Sequence, residues 1–251
     1  DAELLKSLPY ADPDRLVTIE RVDPTTAASE SGYPVFSYPD YRDLRARSAT
    51  LSGIAGFDGT SMTVEDSSGS AREWVSFVTP NFFTVLGVRP VAGRVFSDPE
   101  SENVVVLSYD LWQRRFGGSP RVIGSTIELN DKPFTVVGVA PPRFIGAMAT
   151  HEMYLWVPIV VAGRAAPVLE GLNLESRRGG VMRLVGRLAP GKTVDDAQRD
   201  LATTAAWLAA TYPSNRGRTV KVWAGAGMTT DERQQMSRVP TLAPCLCGSS
   251  R

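Results

Sequence analysis

The chain has 251 residues, 43% of them hydrophobic, and its 27 lysines and arginines balance 27 aspartates and glutamates. This length suffices for one large core or two small ones, and the even charge argues against a dedicated nucleic-acid surface, which needs a basic excess. No apolar run reaches the roughly 18 residues of a membrane-spanning helix. Residues 1–16 have no basic stretch followed by an apolar one, so we expect no signal peptide there.

Strands are predicted where apolar and polar residues alternate, or where a short apolar run lies between turn signals. In chain order they are residues 16–22, 51–57, 61–64, 73–78, 103–107, 125–129, 134–139, 156–160, 182–188 and 219–223. The strand at 103–107 is a continuous apolar run after its first residue, which predicts burial on both faces of a sheet. Residues 66–70 (DSSGS) and Asn130-Asp131 predict hairpin turns.

Helices are predicted, in chain order, at residues 37–47, 81–86, 109–116 and 193–212. Ser37 is the expected N-cap of the first helix, with Pro39 in its first turn, and Thr79 is the expected cap of the second. Thr193 and Asp196 have the spacing of a capping box at the start of the last helix. That helix also carries one apolar stripe, which predicts a buried face. The members of the stripe are Val194, Ala197, Leu201, Ala205 and Leu208.

The order of these elements predicts a mixed α+β fold in two lobes. Strand–helix–strand units open and close the chain, and a β-rich insert occupies about residues 97–180. Within the insert, residues 162–180 are polar and glycine-rich, which predicts a mobile loop. The first and last helices are expected to pack on the strands of a single lobe. Those strands are residues 16–22, 73–78, 182–188 and 219–223.

Residues 186–193 (GRLAPGKT) match the phosphate-loop pattern G-x-x-x-x-G-K-[ST] and lie between a predicted strand and a predicted helix. Pro190 removes one of the backbone N–H groups that such a loop donates to phosphate. No apolar run ending in aspartate follows to hold Mg²⁺, and the roughly 60 remaining residues are too few for a nucleotide-binding core. We therefore interpret the segment as a Pro-Gly turn before a helix that Thr193 caps.

Other ionisable groups have simple structural interpretations. His151 is the only histidine, so any Ser-His-Asp triad would need it, but no nucleophile elbow adjoins it and a surface position is expected. Asp195-Asp196 and Asp12/Asp14 could act as paired carboxylates. The first pair is explained by the charge preference of a first helical turn, and the second by a turn. The sequence thus predicts no catalytic residue, no cofactor-binding residue and no metal ligand.

Aromatic and basic side chains could serve binding. The aromatic candidates for stacking on a ligand, which we expect in the core instead, are Tyr38, Tyr41, Trp74, Trp112, Trp156 and Trp223. The short basic clusters, which could contact acidic partners or lipid headgroups but which we expect to be solvated surface, are Arg114-Arg115, Arg177-Arg178 and Arg216/Arg218. Cys245 and Cys247 lie in the last seven residues. They are too close for an easy mutual disulfide and lack further metal ligands nearby.

Six blocks of the sequence follow one another in the order of a known domain. Residues 37–48 (SYPDYRDLRARS) resemble the motif S-x-P-D-Y-x-D-[LW]-R, and residues 78–96 (VTPNFFTVLGVRPVAGRVF) resemble V-S-x-[ND]-[FY]-F-x-V-L-G-V-x-P-x-x-G-R-x-F. The other blocks are residues 9–19, 104–118, 122–144 and 184–201. Together they resemble the extracytoplasmic core domain of MacB/FtsX-type ABC transporter permeases. In that family other residues commonly stand at the position of Lys192, which supports the turn interpretation.

The resemblance implies a discontinuous porter-like α/β subdomain, residues 1–96 and 181–228, with an inserted β-rich Sabre-like subdomain, residues 97–180. Residues 229–251 would be a tail toward a missing transmembrane helix, although the stretch after Arg238 is short and polar. The domain would lie on the periplasmic face of the bacterial inner membrane. It would be non-catalytic and without a cofactor, and would couple cytoplasmic ATP hydrolysis to periplasmic movement or partner binding, in efflux or envelope mechanotransmission.

The partners implied by the resemblance are the transmembrane helices of the full-length chain, a second copy of the domain, a cytoplasmic ATPase and a periplasmic adaptor or substrate, but no nucleic acid. Both chain ends should emerge at one end of the first lobe, and the insert should lie far from that end, with residues 162–180 as a contact loop. Two alternatives stay open. A free-standing module would bind a small ligand or peptide in an aromatic-lined pocket, and an enzyme would cluster ionisable groups around His151.

Overall fold

Ten strands of the described residues form one mixed sheet. The computed structural model describes residues 10–23, 35–66, 69–97, 102–148, 151–166 and 173–226. The strands are β1 (Leu16–Val22), β2 (Leu51–Asp66), β3 (Gly69–Val78), β4 (Ala92–Gly93), β5 (Val104–Leu107), β6 (Thr126–Leu129), β7 (Lys132–Val139), β8 (Leu155–Pro158), β9 (Arg183–Leu188) and β10 (Thr219–Ala224). Their order is β10-β1-β9-β2-β3-β8-β5-β7-β4, and β6 pairs with both β2 and β7.

Five α-helices accompany these strands in the described part of the chain. They are α1 (Tyr38–Arg47), α2 (Phe82–Leu86), α3 (Tyr109–Phe116), α4 (Ala162–Ala165) and α5 (Val194–Thr211). Ser37 caps α1 as predicted, because its hydroxyl accepts a hydrogen bond from the Asp40 amide at 3.2 Å. Thr193 and Asp196 form the predicted capping box at the start of α5.

The sheet consists of two halves that meet at a parallel strand pair and at β6, which pairs with one strand of each half. The first half holds β10, β1, β9, β2 and β3, and the second holds β8, β5, β7 and β4. The parallel pair runs from Val75 opposite Leu155 to Val78 opposite Pro158. Although β9 comes late in the chain, it lies between β1 and β2, so the first half is discontinuous in sequence. The expected two-lobed α+β fold is confirmed, and both lobes share one sheet.

β2 is a single long strand, so the prediction of two short strands at 51–57 and 61–64 is wrong. It pairs with β3 without interruption along the whole length of β3. Gly59 weakens the strand signal of the sequence at this point. In the fold, a Cβ atom at Gly59 would lie 3.2 Å from the sulfur atoms of both Met148 and Met153. The chain around Met148 and Met153 packs so closely on β2 that a larger residue at position 59 would crowd it, which explains why glycine occurs there.

The sheet face covered by α1 and α5 holds the larger part of the core. Tyr41 and Leu44 of α1 and Leu201 of α5 are almost wholly buried, in one cluster with Val17 and Ile19 of β1. The predicted apolar stripe of α5 faces this core. Its members Ala197, Leu201, Ala205 and Leu208 are buried, and Val194 is partly buried.

The opposite face carries an aromatic cluster that joins the two halves. Phe82 and Phe83 of α2 pack against Phe144, with ring centroids 6.5 and 5.8 Å away. The Phe144 ring lies 4.9 Å from the ring of Trp156, which belongs to β8. Since α2 follows the last strand of the first half and Trp156 lies in the second, this cluster fixes the halves to each other.

The start of α2 differs from the prediction that Thr79 caps it. Asn81 occupies the N-cap position, and no side chain caps the helix there. The Thr79 hydroxyl instead accepts a hydrogen bond from the Gly56 amide at 3.0 Å and donates one to Asn81 Oδ1 at 2.8 Å. Thr79 thus fastens α2 to β2, a neighbour that is remote in sequence. The helix ends at Gly87, whose φ of +67° is the usual left-handed C-cap geometry.

The segment after β8 is more helical than the sequence indicates. The predicted strand at 156–160 ends at Pro158, after which the chain forms a 3-10 turn, Ile159–Val161, and then α4. α4 lies inside the segment 162–180 that was predicted to be a loop. The residues from Leu155 to Val161 are apolar throughout apart from the proline, so neither periodicity nor polarity marks where the strand stops.

Asp200 of α5 holds the connection between α1 and β2. Its Oδ2 atom accepts hydrogen bonds from Ser48 Oγ (2.9 Å), the Ala49 amide (2.9 Å), the Thr50 amide (3.1 Å) and Thr50 Oγ1 (2.7 Å). Burial opposes ionisation, but the hydrogen bonds from Thr50 and Ser48 outweigh it and lower the pKa of Asp200. The charged carboxylate therefore stabilises the fold.

The Asp200→Asn variant should be less stable than wild type by about 1–2 kcal/mol near neutral pH, because charge-assisted hydrogen bonds are lost. A carboxyl group whose pKa is lowered by folding stabilises the protein at pH values above its ordinary pKa. This stabilisation is lost as the pH falls through the pKa of the folded state. Urea unfolding at several pH values should show that the difference in the free energy of unfolding between wild type and Asp200→Asn becomes smaller in acid. Asp195→Asn, at an exposed carboxylate of the same helix, is the control, and an equal pH dependence of the two variants would contradict this assignment.

Leu201→Ala should lower the free energy of unfolding by about 2–5 kcal/mol, because Leu201 is fully buried and truncation leaves a cavity. Arg199→Ala on the same helix is the control. The Arg199 side chain is 74% exposed, so its loss should change stability by less than about 0.5 kcal/mol. Thermal melting followed by circular dichroism measures both, and an unchanged melting temperature for Leu201→Ala would show that the stripe is not a core contact.

Candidate functional site at the chain-entry end

The described residues nearest the two chain ends lie side by side. β1 and β10 are antiparallel, with Val17 opposite Ala224, so β1 begins where β10 ends. The Gly225 amide donates to the Leu16 carbonyl at 2.8 Å, and the Thr18 hydroxyl donates to the Gly225 carbonyl at 2.9 Å. We call this end of the sheet the entry end. The chain ends themselves lie outside the described residues, so the expectation that both emerge together stays a prediction.

Arg187 fastens the residues that lead into β1, which we call the entry segment (residues 10–15). Its guanidinium donates to three carbonyl oxygens, those of Val85 (2.6 Å), Ala11 (2.6 Å) and Asp12 (3.3 Å). Burial is the main cause that lowers the pKa of Arg187, followed by repulsion from a neighbouring arginine. Gly87 allows this approach, because a Cβ atom there would lie 2.6 Å from the Cβ of Ala11.

Arg15 gives the entry segment a second attachment. Its Nε and Nη2 atoms donate to the Leu188 carbonyl at 3.0 and 2.6 Å. Leu188 is the last residue of β9, so the attachment joins the segment to the strand that returns from the insert. Arg187 thus reaches from β9 to the entry segment, and Arg15 reaches from the entry segment to β9, so both hold the segment against the first half.

Tyr10 joins the entry segment to the second half as well. Its hydroxyl donates to the Gly146 carbonyl at 2.5 Å, and its ring meets the Phe144 ring edge-on, with centroids 6.1 Å apart. Burial of the hydroxyl raises the pKa of Tyr10, so the hydroxyl stays protonated and donates. The expectation that the insert lies far from the entry end is therefore wrong for Phe144 and Gly146, because the aromatic cluster draws this segment across the sheet face.

At the other end of β1, a polar network binds the returning chain. Arg177 donates to Asp40 Oδ1 and Asp43 Oδ2, both at 2.6 Å, and its guanidinium carbon lies 3.7 Å from the Tyr212 ring centroid. Asn215 also donates to Asp40 Oδ1, at 2.8 Å. Desolvation alone would lower the pKa of Arg177, but the bonds to Asp43 and Asp40 raise it.

This network corrects the prediction of a mobile loop at 162–180. Its described residues 173–180 are docked on α1, through Arg177 and through a 2.6 Å ion pair between Arg42 and Glu175, while residues 167–172 lie outside the described part. Arg218 also serves structure, since it donates to Asp23 Oδ2 at 2.9 Å. Because the acceptors lie more than 130 residues away, only the folded chain shows that these basic side chains have partners.

A cavity of about 20 Å³ lies beside the same network, between β1, α1 and α5, with Arg21, Asp40, Leu208 and Asn215 in its wall. This is room for about one water molecule, and not for a ligand. Burial and the nearby Arg218 lower the pKa of Arg21, whose side chain faces this buried group of charges. Apolar side chains such as Phe36, Leu44 and Val220 also line the space, so it is a small packing gap where the core meets the charged network.

The turn interpretation of residues 186–193 is confirmed. The Ala189 amide donates to the Thr50 carbonyl at 2.9 Å, and the Lys192 amide closes the turn onto the Ala189 carbonyl at 3.1 Å. The Thr193 amide and hydroxyl both donate to Asp196, at 3.0 and 2.8 Å. Most N–H groups of the segment are thus used within the fold and do not point into a phosphate cradle.

The remaining candidate side chains serve packing or the surface. His151 is exposed and its ring lies 4.0 Å from that of Trp74. Trp156 is buried in the core, and Trp112 and Trp223 donate their indole N–H groups to Ser119 and Glu20.

The fold also brings together three exposed carboxylates that the sequence did not suggest as a group. The carboxylate oxygens of Glu65, Glu128 and Asp131 lie within 4.8 Å of one another. Such groups are common on surfaces without an ion, and we assign no metal to them.

Comparison with known proteins assigns the chain to a family. The family model described as the MacB-like periplasmic core domain matches residues 4–204. The chain belongs to the MacB-like periplasmic core domain family. A curated relative, the probable syringafactin export ATP-binding/permease protein SyfD of Pseudomonas syringae pv. tomato, is 31% identical over 121 residues, which are 47% of this chain and 18% of that protein. The chain therefore spans less than a fifth of that relative.

Solved structures share the fold of this MacB-like domain. The periplasmic region of MacB from Actinobacillus actinomycetemcomitans has a TM-score of 0.62 at 14% identity, covering 91% of this chain and 95% of the other. A domain of a putative permease from Porphyromonas gingivalis gives 0.58 at 15% identity, with coverages of 92% and 98%. The extracellular domain of the ABC-type transporter YknZ from Gram-positive bacteria gives 0.56 at 13% identity, with coverages of 82% and 99%.

Membership places this MacB-like domain in the extracytoplasmic part of an ABC transporter permease, a membrane transporter. The recognition made from the six sequence blocks is therefore confirmed. None of the described helices combines the length and the apolar character that crossing a membrane requires.

The MacB-like domain should not bind ATP through residues 186–193, because their N–H groups are committed within the fold. Calorimetry with Mg·ATP at millimolar concentration should give no binding heat for the wild-type chain or for Lys192→Ala. Micromolar affinity that Lys192→Ala abolishes would overturn the turn interpretation.

Proposed function

We propose that this chain is a non-catalytic coupling domain, through which an ABC transporter permease converts ATP hydrolysis in the cytoplasm into movement or partner binding outside the membrane. The observation that carries the proposal is the entry end. β1 begins beside the end of β10, so two flanking membrane helices would pull on adjacent strands of one sheet. A movement of these helices would then displace the first half of the sheet as a unit.

The attachments of the entry segment support this transmission. Arg187 and Arg15 bind four carbonyl oxygens between them, those of Val85, Ala11, Asp12 and Leu188. A force applied at residues 10–12 would therefore act on β9 and on the end of α2 as well as on β1. Carbonyl acceptors suit this purpose, since they belong to the backbone and cannot rotate away as a side chain can.

We further propose the division into a porter-like subdomain, residues 1–96 and 181–228, an inserted Sabre-like subdomain, residues 97–180, and a tail, residues 229–251. The parallel pairing of β3 with β8 supports a junction there. β4 lies just before the first boundary and pairs with β7 of the insert, so the two subdomains interlock at this point. Such a junction would move the insert together with the first half.

The partners we propose are the permease's own membrane helices, a second copy of the domain, a cytoplasmic ATPase, and a periplasmic adaptor or substrate. Efflux and envelope mechanotransmission are the two modes of action compatible with such a domain. A non-catalytic role is supported by the use of the candidate groups in structure, such as Asp196 in the capping box and Arg177 in the network. The small cavity beside Asn215 gives no support to a ligand-binding module.

The proposal predicts nucleotide-dependent movement. In the full-length permease, assembled with its ATPase in nanodiscs, spin labels at Lys132→Cys, an exposed site on the insert, would report the distance between two copies. Cys245, Cys247 and every other cysteine of the assembly would be replaced by serine, so that only the new cysteine is labelled. The distance distribution should differ between the nucleotide-free and the ATP-vanadate-trapped states.

An ATPase variant that cannot bind ATP is the control, and it should keep the nucleotide-free distribution. Identical distributions for wild type in both states would contradict the proposed coupling.

A further inference from the structure

We infer that Tyr10 is a positioning residue that couples the entry segment to the inserted half of the sheet. The inference rests on the proposed coupling function and adds a direct link from the entry segment to the insert, beside the strand pairs that join the two halves. Arg187 holds Ala11 and Asp12 on the first half. The adjacent Tyr10 reaches in the other direction, to Gly146 and Phe144 of the insert. The entry segment thus has one attachment in each half.

The hydrogen bond from Tyr10 has a fixed acceptor. Gly146 has a φ of +91°, and a Cβ atom there would lie 3.2 Å from Met153 Cγ and 3.4 Å from Trp156 Nε1. The glycine therefore lies directly against two buried side chains of the second half, and its carbonyl is held where the Tyr10 hydroxyl meets it at 2.5 Å. The same turn is fixed on its other side, because the Met153 amide donates to the Ile145 carbonyl at 3.0 Å.

The ring of Tyr10 makes the second part of the link. It touches Phe144, which contacts Phe83 of α2 and Trp156 of β8 with centroids 5.8 and 4.9 Å away. Close-packed aromatic rings resist compression and do not rotate freely. A shift of the entry segment would therefore be passed through Phe144 to β8, while the hydroxyl prevents the ring from sliding along the cluster.

Tyr10→Phe separates these contributions, since it keeps the ring and removes the hydroxyl. In the chain itself, hydrogen exchange at the amides of Phe144 and Met153 should become faster by about twofold to tenfold, the range expected for the loss of one hydrogen bond. Tyr154→Phe is the matched control, because its exposed hydroxyl donates to the neighbouring Glu152 carboxylate at 3.3 Å and its loss should leave both amides unchanged. Equal protection in wild type and Tyr10→Phe would overturn the inference.

The role in coupling is tested in the full-length permease with the Lys132→Cys label. Tyr10→Phe should reduce the ATP-vanadate-dependent shift at the insert, while its melting temperature and ATPase rate stay close to those of wild type. A label at Arg199→Cys, on the exposed face of α5 in the first half, should still show the shift. A purely structural role for Tyr10 would change the melting temperature and leave the shift at Lys132 intact, which would overturn the inference.

The outcomes for the two proposals are distinct. If the wild-type permease shows no nucleotide-dependent shift at either label, the proposed function fails. If wild type shows the shift and Tyr10→Phe shows the same shift at Lys132, only the role of Tyr10 fails. Tyr10→Ala serves as a second variant, because it also removes the ring and should reduce the shift at least as much as Tyr10→Phe.

Discussion

The architecture depends on the return of β9 into the first half of the sheet. This strand pairs with β1 on one side and β2 on the other, so the chain must leave the first half, build the second and come back before the sheet is complete. Each backbone group of β9 that is buried between two neighbours needs its hydrogen-bond partner. The first half is therefore complete only when residues from both ends of the chain are present, and the entry end with its adjacent strands is a direct result.

Charged side chains are used in this protein mainly to fasten loops and segments. Arg15 and Arg187 bind carbonyl oxygens of the first half, Asp200 collects four donors from the α1–β2 connection, and Arg177 binds two aspartates of α1. Isolated surface pairs contribute little to stability, but these contacts connect segments far apart in sequence.

The two faces of the sheet differ in the side chains that cover them and in the parts of the chain that they join. The face under α1 and α5 is a mainly aliphatic core that spans the sheet, whereas the opposite face concentrates aromatic rings around Phe144. Phe83 and Trp156 belong to different halves and both contact that ring. Tyr10 extends the same cluster to the segment that enters the fold. The block VTPNFFTVLGV, which first marked the family resemblance, is thus the part of the chain that joins the halves.

The sequence by itself determined the local elements and the family. Neighbours within a few residues determine the capping roles of Ser37 and Thr193 and the turn at Asn130-Asp131. The apolar stripe through Leu201 follows from helical periodicity. All of these features could therefore be predicted without coordinates. The phosphate-loop match could be dismissed for the same reason, because Pro190 and the capping residue Thr193 act locally.

Only the tertiary structure decided the continuity of β2, the role of Thr79, the docking of Arg177 and the contact of Tyr10 with Gly146. Each depends on a partner that the sequence places far away, up to 137 residues for Arg177 and Asp40. No periodicity or capping pattern encodes such a contact, since its energy comes from surfaces that meet only when β9 and the aromatic cluster are in place.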